Sequence, residues 1–336
     1  MKKLGRIYAA ANGFDGFRSY FDITFNEIDF ERVFIIKGGP GTGKSTFMKK
    51  IIKSLENEAG EFYEVGCSSD PASLDGIVFK CREKQFALLD GTSPHSREAM
   101  MIGASEELID LGEGVDRIAL SSRKEEIREL NSKKKAAYSR AYGMLRAAGE
   151  IYNEYFDLFL RERGNNEAEC LVDEFQTDEK TANKSEISLK IPSKFLINSF
   201  SKYGYSAYNE NSAFGVKTLC VGKACPEGFV KMKAYAEGKK ESVRAIIPSP
   251  LSDNLIEGIL TDNYLYYLKG FGDFPYSDTI KNKYSDCLSS ALSLAQMELS
   301  EASEIHFALE KIYTKNTCFD NRDRILKDIL NLIYSI

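Results

Sequence analysis

Only two histidines, His95 and His306, occur in the 336 residues, which excludes a metal site built mainly from imidazole. The seven cysteines, Cys67, Cys81, Cys170, Cys220, Cys225, Cys287 and Cys318, are odd in number, scattered, and contain no C-x-x-C pair. Neither a disulfide framework nor a structural zinc site is expected, and a reducing cytoplasm is the expected location. No stretch approaches the ~20 apolar residues of a membrane span. The apolar run after Met1-Lys2-Lys3-Leu4-Gly5-Arg6 is too short for a secretory leader, so no membrane attachment is expected. An excess of positive charge is also lacking: the net charge is −5 and the pI near 5.5, which argues against wholesale nucleic-acid binding. What is present is length for about two domains and 43% hydrophobic residues, enough to build real cores.

The most informative stretch runs from Val33 to Ile52. Val33-Phe34-Ile35-Ile36 reads as a buried strand, a glycine-rich turn follows, and Lys44 to Ile52 has a helix's apolar spacing. Between them, Gly38-Gly39-Pro40-Gly41-Thr42-Gly43-Lys44-Ser45 matches G-x-x-x-x-G-K-[ST] in the strand-to-helix context that a phosphate-binding loop requires. Glycines let the backbone turn its amides inward as an anion nest, and the helix dipole adds to it. Gly38, Gly39, Gly41, Thr42, Gly43, Lys44, Ser45 and Thr46 are the expected phosphate-binding residues. Lys44 is expected to reach the outer phosphates, and the Ser45 hydroxyl to bind Mg²⁺.

Two further strands are predicted, Glu61–Val65 and Gln85–Leu89, alternating with helices in a parallel sheet covered on both faces. Asp90 closes the second of them, where ligands of such sheets gather, and reads as the acid that holds Mg²⁺ directly or through a water. Gly91 follows it, so the adjacent glutamate of many fast ATPases is missing. The Cys67–Gly76 loop carries Ser68, Ser69, Asp70 and Asp75. Asp70 is the preferred residue for orienting an attacking water, against the plainer reading of a serine and aspartate cap opening a helix. Thr92 and His95 fit a phosphate sensor or proton carrier, or a merely structural turn.

From Ser122 to about Arg163 apolar residues recur at steps of three and four, with Lys134 filling one heptad position. A rod of ~60 Å is predicted if Gly143 and Gly149 do not break it. Ala137, Ala141 and Ala148 imply close helix packing, within the chain or across a self-association or protein-partner interface. The cluster Lys133-Lys134-Lys135 with Arg140 and Arg146 reads as a solvated face rather than a phosphate-facing one.

The second half repeats the order of the first. Lys194–Tyr205 parallels Arg6–Phe17, Val216–Gly228 falls where strand and phosphate loop belong, Ala245–Ile259 parallels Val65–Ile77, and Tyr264–Gly270 parallels Phe86–Gly91. Gly228 or Phe229 stands in the place of Lys44, and Lys269 in that of Asp90, so the second copy is read as degenerate. The predicted fold is a P-loop NTPase-type α/β sheet with helices on both faces, duplicated in tandem, with long helical extensions. The expected segments are 1–165, a linker at 166–193, and 194–336.

With the Gly38–Thr46 loop, Cys67–Pro71, Ser73–Gly76, Leu89–Thr92 and Pro94-His95, the chain resembles a family of bacterial proteins with two tandem P-loop ATPase-like domains. The resemblance is specific over residues 30–95 and looser elsewhere. It implies the tandem P-loop fold and ATP as ligand. The motifs imply a Mg²⁺-dependent ATP-binding protein and slow ATPase with Lys44, Asp70 and Asp90 at the reaction centre and Ser45 and Asp90 on the metal. The rival expectations are a small-molecule or nucleotide kinase, with the Cys67–Gly76 loop as acceptor site, and a non-hydrolysing nucleotide switch.

Overall fold

A computed structural model describes residues 1–26, 29–163, 188–207, 214, 216–223, 242–253, 255–269 and 278–336. Its first half is built on a six-stranded sheet. In chain order it contains β1 (Lys2–Tyr8), the hairpin β2 (Ala10–Gly13) and β3 (Gly16–Ser19), α1 (Phe21–Phe25), β4 (Arg32–Lys37) and α2 (Lys44–Ser54). There follow β5 (Glu61–Gly66), β6 (Leu74–Cys81), β7 (Lys84–Asp90), β8 (Glu106–Asp110), α3 (Arg117–Ser122) and α4 (Lys124–Arg163). The sheet order is β1-β5-β6-β7-β4-β8. All neighbours run parallel except at β6, which is antiparallel to both β5 and β7.

β6 departs from the expectation. The stretch from Leu74 does not open a helix, because it forms a two-residue hairpin with β7. Its turn residues, Arg82 and Glu83, both have positive φ, 51° and 66°, the geometry that suits the twist of paired strands. Arg-Glu carries none of the Asn-Gly signal that would announce such a turn. The strands expected at Val33–Ile36 and Gln85–Leu89 are present as β4 and β7, and their parallel pairing brings the end of the Asp90 strand beside the strand that leads into the glycine-rich loop, with Ile36 opposite Asp90.

The second half contains the hairpin β9 (Asn198–Ser201) and β10 (Gly204–Ala207), then β11 (Lys217–Lys223), β12 (Val243–Pro248), β13 (Ile256–Thr261) and β14 (Tyr264–Lys269). Two helices close the chain, α5 (Asp278–Lys315) and α6 (Arg322–Ser335). The four-stranded order β11-β14-β13-β12 has the same directions as β4-β7-β6-β5. The register agrees as well: Ile247 pairs with Gly258 and Gly258 with Tyr267, as Val65 pairs with Gly76 and Gly76 with Leu89. Counting along these pairs puts Glu257 at the place of Asp75, and Leu268 rather than Lys269 at that of Asp90. The expected degenerate loop and the helix from Phe229 lie outside the described residues, as does the linker up to residue 187.

Among the described residues, α2 and α6 cover one face of the first sheet, and only the five-residue α1 lies on the other. Phe34 and Ile36 join Phe47, Met48 and Ile51 of α2 and Ile329 and Ile333 of α6. The alternate residues Val33 and Ile35 enter another core with Phe21 and Phe25 of α1 and with Ala245, Ile247, Leu260 and Leu265 of the second sheet. The second sheet thus does for that face what a layer of helices was expected to do. Between the halves sits the β2–β3 hairpin, which sequence alone places at the edge of the domain. It is held there by Asn12 Nδ2 donating to Phe200 O at 2.7 Å and Arg18 donating to Ser249 O at 3.2 Å.

The long helix is unbroken for 40 residues. It pairs antiparallel with α5, as the contacts Arg140–Glu298, Arg140–Glu301 and Tyr155–Tyr284 show. Ala141, Leu145 and Ala148 are buried against Leu288, Ala291, Ala295 and Leu299. The alanines expected to serve close packing therefore do so within the chain.

Candidate functional site

The glycine-rich loop leaves β4 and enters α2 with Gly41 at φ 70° and Gly43 at φ 85°, conformations that favour glycine. A Cβ at Gly38 would lie 2.6 Å from Thr42 Oγ1, and that hydroxyl itself donates to Gly39 O at 2.9 Å. Helix α2 makes its first backbone bond from Phe47 N–H to Gly43 O. The amides of Lys44, Ser45 and Thr46 therefore have no intrahelical partner, as at any helix start.

Lys44 folds over the loop, donating to Gly38 O at 2.9 Å and Gly39 O at 3.1 Å, with its Nζ 3.5 Å from Asp90 Oδ2. Ser45 Oγ accepts the Leu74 amide at 3.0 Å, which fixes the hydroxyl and still leaves a lone pair for a cation. Asp90 Oδ1 accepts from the Thr92 amide and hydroxyl at 2.9 and 2.6 Å, leaving Oδ2 toward Lys44. Hydroxyl and carboxylate oxygens are the donor types Mg²⁺ takes, and the glycine loop has the shape of an anion nest. The residues present thus fit a metal-bound polyphosphate. Gly91 is required by packing, since a Cβ there would meet Ile35 Cγ2 at 2.5 Å. The lack of a glutamate after Asp90 follows from how tightly β7 lies on β4.

Asp70 and Asp75 have separate fates. Asp70 Oδ1 accepts the Ala72 amide at 3.1 Å and closes a turn. Asp75, on β6, instead forms a cluster with Asp90 and His95, their ligand atoms all within 4.8 Å of one another. His95 Nδ1 donates to Asp90 O at 2.8 Å, since a carbonyl can only accept, and Nε2 lies 3.5 Å from Asp75 Oδ2. Phe21 stacks on the ring at 4.4 Å between centroids. Burial disfavours the imidazolium, but the hydrogen bond and charge of Asp75, with the charge of Asp90, outweigh it and raise the His95 pKa. Sequence reasoning included Asp75 among the loop acids. It lacked the strand that turns Asp75 toward Asp90.

Other residues of the site come from far along the chain. Tyr138 of α4 donates to Ser69 Oγ at 2.8 Å. Thr314 of α5 donates to Gly41 O at 3.1 Å, and the Tyr313 ring leaves no room for a Cβ at Gly39, its Cε1 being 2.7 Å from that position. Arg322, at the start of α6, is 6% exposed and donates from Nη2 to the carbonyls of Thr42 and Leu111. Its Nε and Nη1 find no partner among the described residues, and burial lowers its pKa. No local sequence signal marks these contacts.

Comparison with protein-family models, curated proteins and solved structures finds no match. Among the described residues, no helix is long and apolar enough to cross a membrane.

Proposed function

We propose that the chain binds Mg²⁺-ATP at the Gly38–Thr46 loop and hydrolyses it slowly. The observation carrying this reading is the convergence of Lys44, Ser45 and Asp90 at one glycine-lined helix start. The loop amides and Lys44 hold the phosphates, while Ser45 and Asp90 hold the ion, which supplies charge neutralisation when bound. Asp75 replaces Asp70 as the acid that orders water, because Asp75 stands beside Asp90 whereas Asp70 is engaged in a turn. Slow turnover follows from Gly91, since the residue that follows Asp90 in sequence brings no carboxylate to polarise the water.

The shared strand order, direction and register of the two sheets support a tandem duplication of a P-loop-type unit, and with it kinship to the bacterial tandem P-loop family. A kinase using the Cys67–Gly76 loop as acceptor site is less well supported. Ser69 there is engaged by Tyr138, and Ser68 is buried.

Calorimetric titration of ATP with Mg²⁺ into the wild type and Lys44→Ala tests the reading. One site per chain is expected, with affinity falling roughly 10- to 100-fold on loss of the charged hydrogen bonds. Binding indifferent to Lys44, or no binding by the wild type, would refute it.

A further inference from the structure

The basic cluster on α4 divides once its neighbours are known. Lys133 pairs with Glu129 at 2.6 Å, and Arg140 with Glu298 and Glu301. Lys135 is exposed. Lys134 behaves differently. It occupies a core position of the heptad, is half-buried, and among the described residues no hydrogen bond or ion pair reaches it. A lysine in the seam of a helix pair loses hydration with nothing in return unless something else meets it there.

What lies at this end of the seam is the phosphate loop. One turn along α4 from Lys134, Tyr138 is bonded to Ser69 at the rim of the site. From α5, Thr314 Oγ1 bonds Gly41 O, and the Glu310 backbone is so near that a Cβ at Gly41 would sit 2.6 Å from its carbonyl oxygen. Thr314 and Glu310 of α5 therefore lie on the glycine loop and Tyr138 of α4 on the neighbouring Cys67–Gly76 loop, with Lys134 one helical turn from Tyr138. The charges of Lys44 and Glu310 are both felt at Lys134, and burial together with Lys44 lowers its pKa. Glu310 in turn feels Lys44, Lys134 and, most strongly, His306. Lys44 and Lys134 thus feel each other's charge, with the partly exposed Glu310 carboxylate as the anion both feel. This is the arrangement that a multiply charged phosphate would stabilise.

We propose that Lys134 is a second phosphate-binding lysine, supplied in cis by the long helix, that contacts the outermost phosphate of a nucleoside triphosphate opposite Lys44. The proposal rests on the nucleotide reading above and adds a consequence: the site distinguishes tri- from diphosphate through the helix pair. Lys44, attached to the loop itself, serves both nucleotides. Lys134 reaches in from outside and meets only the outer phosphate.

The test is the affinity of the full-length chain for ADP and for a non-hydrolysable ATP analogue, both with Mg²⁺, in the wild type, Lys134→Met, Lys134→Arg and Lys44→Ala. Lys134→Met is expected to weaken the analogue roughly ten-fold or more, the worth of one charged hydrogen bond, and to leave ADP unchanged. Retained ADP affinity also shows that the variant is folded. Lys134→Arg should keep most of the preference for triphosphate, whereas Lys44→Ala should weaken both ligands. If Lys134→Met changes neither affinity, or both equally, the proposal fails while the nucleotide site stands. If the wild type binds neither ligand, or Lys44→Ala leaves both unaffected, the site itself is wrong and Lys134 falls with it.

Discussion

Glu257 shows how a single buried group sets a pH response. Its carboxylate accepts from Tyr205 at 2.5 Å and from Asn198, deep in the second half. Burial raises its pKa above the ordinary 4.5, against the lowering effect of the hydrogen bonds from Tyr205, Asn198 and Ser249. Below 4.5 both folded and unfolded chains hold the proton. Above it the unfolded chain releases the proton first, so stability falls as pH rises toward the folded-state pKa, by at most ~1.4 kcal/mol per pH unit. Glu257→Gln removes the titration, and its amide can donate to Asn198 Oδ1, which has no partner among the described residues, once the Asn198 amide turns over. Denaturant unfolding between pH 4 and 8 should show a shallower decline for the variant. A wild-type-minus-variant difference that is constant with pH would rule this out. Glu257 holds the position that Asp75 holds in the first half, so one site in the register carries a buried acid in both.

At the scale of the element, the long helix contains two glycines that look alike in sequence and are unlike in the fold. A Cβ at Gly149 would stand 2.8 Å from Phe14 Cβ and 2.9 Å from Leu251 O, whereas nothing lies within 4 Å of one at Gly143. Gly149→Ala is therefore expected to destabilise the protein by about 1–3 kcal/mol through overpacking against backbone. Gly143→Ala should stabilise it by about 0.5–1 kcal/mol, the usual gain of alanine over glycine inside a helix. Urea midpoints for the two variants should move in opposite directions, and movement in the same direction would contradict this account of the packing. Heptad spacing revealed the helix, its length and its alanine seam, because those depend on residues three and four apart. The closeness of Phe14 and Leu251 depends on segments over a hundred residues away from Gly149 in either direction. For β6 even the local signal was absent: the turn at Arg82-Glu83 adopts its geometry without the residues that favour it.

Across the whole molecule the two halves are tied at several depths. Tyr8 and Leu196 exchange backbone hydrogen bonds at 2.8 and 3.0 Å. One buried cluster draws on both sheets, and α6, at the far end of the chain, packs Ile329 and Ile333 on the first sheet. The boundary expected at 166–193 therefore separates stretches of sequence whose cores are joined. A thermal scan of the full chain should give one transition with matching calorimetric and van't Hoff enthalpies. Two resolved transitions would show that the halves unfold separately. The strand, glycine turn and helix start over residues 32–54, and the place of Asp90 at the end of its strand, were legible from sequence, since they are local chemistry written in adjacent residues. Setting Asp75 beside Asp90, seating Arg322 on the Thr42 carbonyl, and laying α5 against Gly41 required the folded chain. Each depends on which strand pairs with which and which helix crosses the site, and those long-range contacts leave no periodic mark in the residues that make them.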